Sequence, residues 1–160
     1  MNKKRIIKNI AFVILAMFFV GDRILKFLFV NHYLGSVKVL GNFFSLSFTP
    51  NRYIAFSLPV GGIMLSIFIS LIVLVILGYI IHLILTKKDC SFEFIPLTFL
   101  LFGAISNLSD RWRYGYVIDY LDVNYFTVFN LADVMIVGGV VYILYGQLFN
   151  KKLIKQYERH

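Results

Sequence analysis

Five of the eight acidic residues lie near one end of the apolar segments of this chain: Asp22, Asp110, Asp119, Asp122 and Asp133. A charge within or beside a bilayer is costly, so it is retained where it has a partner, a wet cavity or a task. Asp119 ends the segment Val-Ile-Asp, and Asp133 ends the segment Phe-Asn-Leu-Ala-Asp. This pattern predicts carboxylate chemistry at one face of a membrane.

Further polar residues occur at helical spacing around these carboxylates. Asp22 and Lys26 are four residues apart, so they share a helix face and are expected to form an ion pair. Other groups share faces or lie at the same depth: Asn107, Asp110 and Arg111; Asn130 and Asp133; and Asn51. A buried network that only orients helices is the structural alternative. The amount of polar material at one depth favours a functional site.

The composition indicates a membrane protein, because 59% of the residues are hydrophobic and 15% are charged, against about 25% charged in soluble domains. A bilayer-spanning helix needs about 20 apolar residues. Four such segments occur, at about 6–30, 63–85, 91–110 and 128–149. The predicted fold is therefore a membrane all-α bundle of four transmembrane helices, forming a single domain over residues 1–160.

The net charge of +8 is explained by topology rather than by nucleic acid. If the spans alternate, ten of the sixteen basic residues fall on one side: Lys3, Lys4, Arg5, Lys8, Lys87, Lys88, Lys151, Lys152, Lys155 and Arg159. Basic loops stay on the cytoplasmic side. Both termini are therefore expected in the cytoplasm, with the acidic cluster near the outer face.

Residues 31–62, between the first two spans, are expected to form a small external β-sheet, since Leu46–Thr49 alternates apolar and polar residues. Asp122 is expected in an external loop. Aromatic residues near the outer interface are interpreted as a belt of membrane anchors: Tyr33, Tyr53, Trp112, Tyr114, Tyr116, Tyr120 and Tyr125. Gly103 is expected to let another helix approach the third one closely.

The spacing of these residues resembles that of lipoprotein signal peptidase, or signal peptidase II. Five motifs occur in the order found in that family: Asp22-x-x-x-Lys26, Asn51-x-x-x-Ala55-Phe56, Gly103-x-x-x-Asn107-x-x-Asp110-Arg111, Val117-x-Asp119 and Phe129-Asn130-x-Ala132-Asp133. The resemblance extends from about Asp22 to the end of the fourth span. The chain is interpreted as a divergent member.

The resemblance implies an aspartic endopeptidase of the bacterial cytoplasmic (inner) membrane, needing no cofactor or metal. It implies cleavage of prolipoproteins just before a cysteine that carries a diacylglyceryl group, in contact with membrane lipid. The family's catalytic dyad falls on Asp119 and Asp133. Its supporting polar residues fall on Asp22, Lys26, Asn51, Asn107, Asp110, Arg111 and Asn130. A monomer is expected, because the fold needs no partner.

Departures from the family pattern concern the substrate groove more than the dyad. Tyr53 and Ile54 replace small residues, Ser106 stands where glycine is common, and Leu25 stands where threonine or serine is common. Two other functions compete with the peptidase. One is a small ion or proton transporter that uses the acidic cluster as a relay, and the other is a noncatalytic lipoprotein-binding relative.

Overall fold

The computed structural model of the protein describes residues 3–54, 58–86, 92–124 and 126–149. Four helices and six strands follow one another along the chain: α1 (Lys3–Val30), β1 (Val37–Leu40), β2 (Phe44–Asn51), β3 (Tyr53–Ile54), β4 (Leu58–Gly61), α2 (Gly62–Leu85), α3 (Phe94–Tyr114), β5 (Val117–Val123), β6 (Thr127–Phe129) and α4 (Leu131–Phe149). The number and order of the helices agree with the four apolar segments found in the sequence. The basic residues 87–88 and 151–159 and the motif residues Ala55 and Phe56 lie outside the described residues.

The main sheet has four strands in the order β1-β2-β5-β6, and all its neighbouring strands are antiparallel. Strands β3 and β4 form a separate two-stranded sheet. A sheet was expected between the first two helices only, and half of this one comes instead from the connection between α3 and α4. The assignment of Asp122 to a loop was wrong, because Asp122 lies in β5 and pairs with Ser45 of β2.

Helix α3 contacts all three other helices. Its approach to α4 depends on Gly103, where an added Cβ would lie 2.5 Å from the carbonyl oxygen of Ala132 and 2.9 Å from Ile136. The expected close approach at Gly103 is therefore present. It brings the start of α4, which carries Asp133, against the polar half of α3.

Two helices of the described structure, Gly62–Leu85 and Leu131–Leu148, are long and apolar enough to cross a membrane. Helices α1 and α3 are also long, with 28 and 21 residues, but charged residues interrupt their apolar runs. Large apolar side chains of α2 point away from the protein: Ile63, Met64, Phe68, Leu71, Leu74, Val75 and Leu85. A helix that is apolar on its outer as well as its inner face is typical of a membrane span.

Candidate active site

Asp119 lies in β5, and its side chain is 2% exposed. Two amide groups donate to its two carboxylate oxygens. Asn130 Nδ2 donates to Oδ1 at 2.6 Å, and Asn51 Nδ2 donates to Oδ2 at 2.9 Å. Because β2 and β5 are paired around Thr49 and Asp119, Asn51 at the end of β2 lies within reach.

Asp133 is held at the beginning of α4 by a reciprocal capping arrangement with Asn130. The backbone N–H of Asp133 donates to Asn130 Oδ1 at 2.9 Å, and the backbone N–H of Asn130 donates to Asp133 Oδ2 at 3.2 Å. This is the geometry of a capping box, here with Asn and Asp three residues apart. Asn107 Nδ2 donates to the other oxygen of Asp133 at 2.8 Å.

Asn130 therefore contacts both carboxylates, one through its side chain and one through its backbone. This proximity affects their ionisation. Burial raises the pKa of Asp119 to about 7, and the negative charge of Asp133 acts in the same direction. The hydrogen bonds from Asn51 and Asn130 and the positive charge of Lys26 oppose that rise in the pKa of Asp119. Near neutral pH, this pair of carboxyl groups can hold one proton between them.

Lys26 is fully buried and donates to three acceptors, which matches the three N–H groups of its ammonium. They are Asp22 Oδ2 at 3.0 Å, Asp110 Oδ2 at 2.7 Å and Asn107 Oδ1 at 2.8 Å. The expected Asp22–Lys26 ion pair is present. Through Asn107, Lys26 is also linked to Asp133.

Arg23 and Ser106 belong to this cluster, although the spacing of the acidic residues did not point to either. Arg23 Nη1 donates to Asp110 Oδ1 at 2.7 Å and lies 3.2 Å from both oxygens of Ser106. Ser106 Oγ donates to Asp22 at 2.6 Å. Two buried carboxylates thus face two cations, which offsets the cost of burying them. The signal for Ser106 was its departure from glycine on the helix face that carries Gly103 and Asn107.

The anchor interpretation was wrong for Tyr120, which is 0% exposed and donates its hydroxyl to Asp22 at 2.9 Å. Trp112 and Tyr33 are largely exposed, at 54% and 68%, as anchors would be. Tyr125 lies outside the described residues, and the side chain of Tyr53 is not described. The position of a tyrosine in the sequence near the outer membrane interface therefore does not show whether its side chain is a surface anchor or part of a buried hydrogen-bond network.

Arg111 is half-buried one residue after Asp110, and its positive charge attracts Asp119, Asp133 and Asp110. Asp122 is the one residue of the acidic cluster that stays apart, since its described contact is with Ser45 Oγ at 3.4 Å. The structure therefore brings together all nine predicted site residues. Among the described residues, no group of three His, Cys, Asp or Glu side chains is placed to hold a metal ion.

The sequence model of the signal peptidase (SPase) II family matches residues 14–149. The lipoprotein signal peptidase of Caldanaerobacter subterraneus subsp. tengcongensis is 34% identical over 142 residues, which cover 87% of this chain and 96% of that protein. The lipoprotein signal peptidase of Enterococcus faecalis is 36% identical over 149 residues, which cover 91% of each.

Solved structures agree with the fold. A bacterial membrane enzyme determined by the in meso method at 2.3 Å resolution superimposes with a TM-score of 0.74. It is 24% identical in sequence, and the match covers 90% of this chain and 92% of that one. A second bacterial membrane enzyme, at 1.9 Å resolution, gives a TM-score of 0.70 at 23% identity, with coverages of 89% and 95%.

Proposed function

The chain belongs to the signal peptidase II family, and we propose that Asp119 and Asp133 form the catalytic dyad of an aspartic endopeptidase. The chain is a bacterial membrane peptidase that removes signal peptides from prolipoproteins. The proposed dyad goes further, because it assigns the chemistry to two residues. The observation that carries it is Asn130, which binds Asp119 through its side chain and Asp133 through its backbone.

Two adjacent carboxyl groups that share one proton can act as base and acid in the same step. The ionised carboxylate takes a proton from a water molecule, whose oxygen attacks the scissile carbonyl carbon. The protonated carboxyl group gives its proton to the carbonyl oxygen, which yields a neutral tetrahedral diol. Collapse of the diol returns one hydroxyl proton to a carboxylate, while the other carboxyl group protonates the leaving nitrogen. Such general acid–base assistance contributes about 10²- to 10⁴-fold.

The surrounding residues have the proposed task of keeping this pair in one geometry and one charge state. Asn51, Asn107 and Asn130 direct N–H donors at the carboxylate oxygens. The positive charges of Lys26 and Arg111 counter part of the negative charge. Because these donors are fixed before the reaction, they need little rearrangement when charge moves.

The proposed substrate carries a diacylglyceryl group on the cysteine after the scissile bond, and its acyl chains would lie in the bilayer. Burial of acyl chains contributes about 0.8 kcal/mol per methylene. The buried acyl chains would hold the scissile bond at the depth of the dyad. A fixed position of the reacting groups raises the rate as well as the affinity. We further propose four membrane spans in one domain, a monomer, cytoplasmic termini and a site near the outer face of the inner membrane.

The test is cleavage by the purified protein of one prolipoprotein in two forms, with and without the diacylglyceryl group, in the same detergent. The lipidated form should be cut between the signal peptide and the modified cysteine, and the unlipidated form should be cut far more slowly. Equal rates would show that the lipid is not recognised. Cleavage at another bond would contradict the proposed specificity.

A further inference from the structure

Tyr120 follows Asp119 directly, and its hydroxyl lies where three elements meet. Its ring stacks on Phe29 of α1, with 5.8 Å between the ring centroids. Its hydroxyl donates to Asp22 Oδ1 at 2.9 Å and accepts from the backbone N–H of Leu131 at 3.2 Å. The hydroxyl oxygen of Tyr120 thus forms hydrogen bonds both to α1 and to the first residue of α4.

The same carboxylate oxygen also binds the beginning of α4 directly, since the backbone N–H of Ala132 donates to Asp22 Oδ1 at 3.3 Å. The first N–H groups of a helix have no partner within the helix, and a negative charge near them is favourable. Tyr120 and Asp22 therefore satisfy the N–H groups of Leu131 and Ala132. The next residue is Asp133.

The strand that carries Asp119 is held on both sides of that residue. Before it, the backbone N–H of Ile118 donates to Asp110 Oδ2 at 3.4 Å. After it, Tyr120 donates to Asp22. Both of these carboxylates are acceptors of the Lys26 ammonium. The backbone around Asp119 and the start of α4 therefore both form hydrogen bonds to one buried cluster, which consists of Asp22, Lys26 and Asp110.

We propose that Tyr120 is a positioning residue whose hydroxyl bridge, from Asp22 to the N–H of Leu131, sets the place of Asp133 relative to Asp119. This inference rests on the proposed dyad. The two carboxyl groups belong to separate elements, β5 and α4, so their relative position depends on contacts between those elements. A misplacement of about 1 Å can cost about 100-fold in rate. Tyr120 supplies such a contact. It directly follows Asp119 in the sequence, and its partner Leu131 lies two residues before Asp133.

The test is Tyr120→Phe, which keeps the ring and its stacking on Phe29 and removes only the bridging oxygen. We expect kcat for the lipidated prolipoprotein to fall about tenfold. This is less than the roughly 100-fold cost of a 1 Å misplacement, because the backbone N–H of Ala132 still donates to Asp22. The KM should change by less than about twofold, because no substrate contact is removed. Tyr116→Phe is the matched control, since it removes a hydroxyl from a half-buried tyrosine just before β5. That control should keep the wild-type kcat.

Amide hydrogen exchange of the purified protein gives a second readout that does not depend on activity. In Tyr120→Phe, exchange in residues 128–135 should become about tenfold faster, while the rest of α4 keeps its wild-type rate. Faster exchange together with a lower kcat supports the positioning role. Unchanged exchange overturns it, and so does faster exchange with unchanged kcat, which would mean that the hydroxyl only stabilises the helix end.

The two proposals fail in different ways. If the wild-type protein does not cleave the lipidated substrate, the proposed function is wrong, and the exchange rates alone decide whether the hydroxyl fixes the start of α4. If the wild-type protein cleaves and Tyr120→Phe matches it in kcat and exchange, the dyad stands and the role of Tyr120 is wrong.

Discussion

The buried carboxyl group of Asp119 should make the stability of this protein depend on pH, and Asp119→Asn should reduce that dependence. The pKa of Asp119 is raised from 3.8 to about 7, first by burial and then by the charge of Asp133. An acid with a higher pKa in the folded state favours folding only while it is protonated. Its contribution is complete below pH 4 and is lost as the pH rises toward 7 and above.

The expected size of the effect follows from that change in pKa. A rise from 3.8 to about 7 corresponds to about 4 kcal/mol in the free energy of unfolding. Between pH 5 and pH 8, the wild-type protein should lose about 3 kcal/mol of this. For a chain of this size, that loss lowers the melting temperature by roughly 5–10 °C.

The assay is thermal denaturation in one detergent at pH 5, 6, 7 and 8. The wild-type melting temperature should decline across this series, and the decline should be much smaller in Asp119→Asn. Asp122→Asn is the matched control, because it makes the same change three residues later in the same strand, outside the dyad. An equal decline in the wild type and Asp119→Asn would refute the assignment of the raised pKa to Asp119.

Three further outcomes are expected. Lys26→Met should lower the free energy of unfolding by about 3–5 kcal/mol, because it leaves the buried carboxylates of Asp22 and Asp110 short of a cation. The control is Lys38→Met, which removes the charge of an exposed lysine. Equal melting temperatures of the two variants in thermal denaturation would contradict the role of Lys26. Gly103→Ala should lower the free energy of unfolding by about 1–3 kcal/mol and reduce turnover, because the added Cβ would lie 2.5 Å from a carbonyl oxygen of α4. The control is Gly138→Ala, whose added Cβ meets nothing within 4 Å. Its stability and its turnover should both be close to those of the wild type. The sequence has one cysteine, Cys90, which is first replaced by serine. A cysteine then added to the C-terminal tail should react with an impermeant reagent only after the inner face of the membrane is exposed. Labelling of intact cells from outside would overturn the proposed topology.

Local spacing predicted the parts of the site that lie within single helices. Asp22 and Lys26 are four residues apart in α1, and their ion pair follows from helix geometry. Asn130 and Asp133 are three residues apart at the start of α4, and this spacing brings them together as a capping box. The close helix approach was readable from Gly103, because only a residue without Cβ fits there.

Contacts between distant segments were not readable in the same way. Strands β5 and β6 lie between α3 and α4, and β5 pairs with β2 more than 65 residues earlier in the chain. Its first four residues, 117–120, are all buried, so they lack the polar and apolar alternation that reveals a half-buried strand. The role of Tyr120 was also missed, because its hydrogen-bond partner Asp22 is 98 residues away in the sequence.

The most direct test of the account is the rate of cleavage of the diacylglyceryl-modified prolipoprotein by Asp119→Asn and Asp133→Asn, each purified in folded form. Each change is nearly isosteric and removes one half of the acid–base pair. Both variants should lose cleavage to background, while Asp122→Asn should retain close to wild-type turnover, because Asp122 lies apart from the pair and contacts Ser45. Near-normal turnover by either dyad variant would contradict the assignment and place the chemistry elsewhere in the acidic cluster.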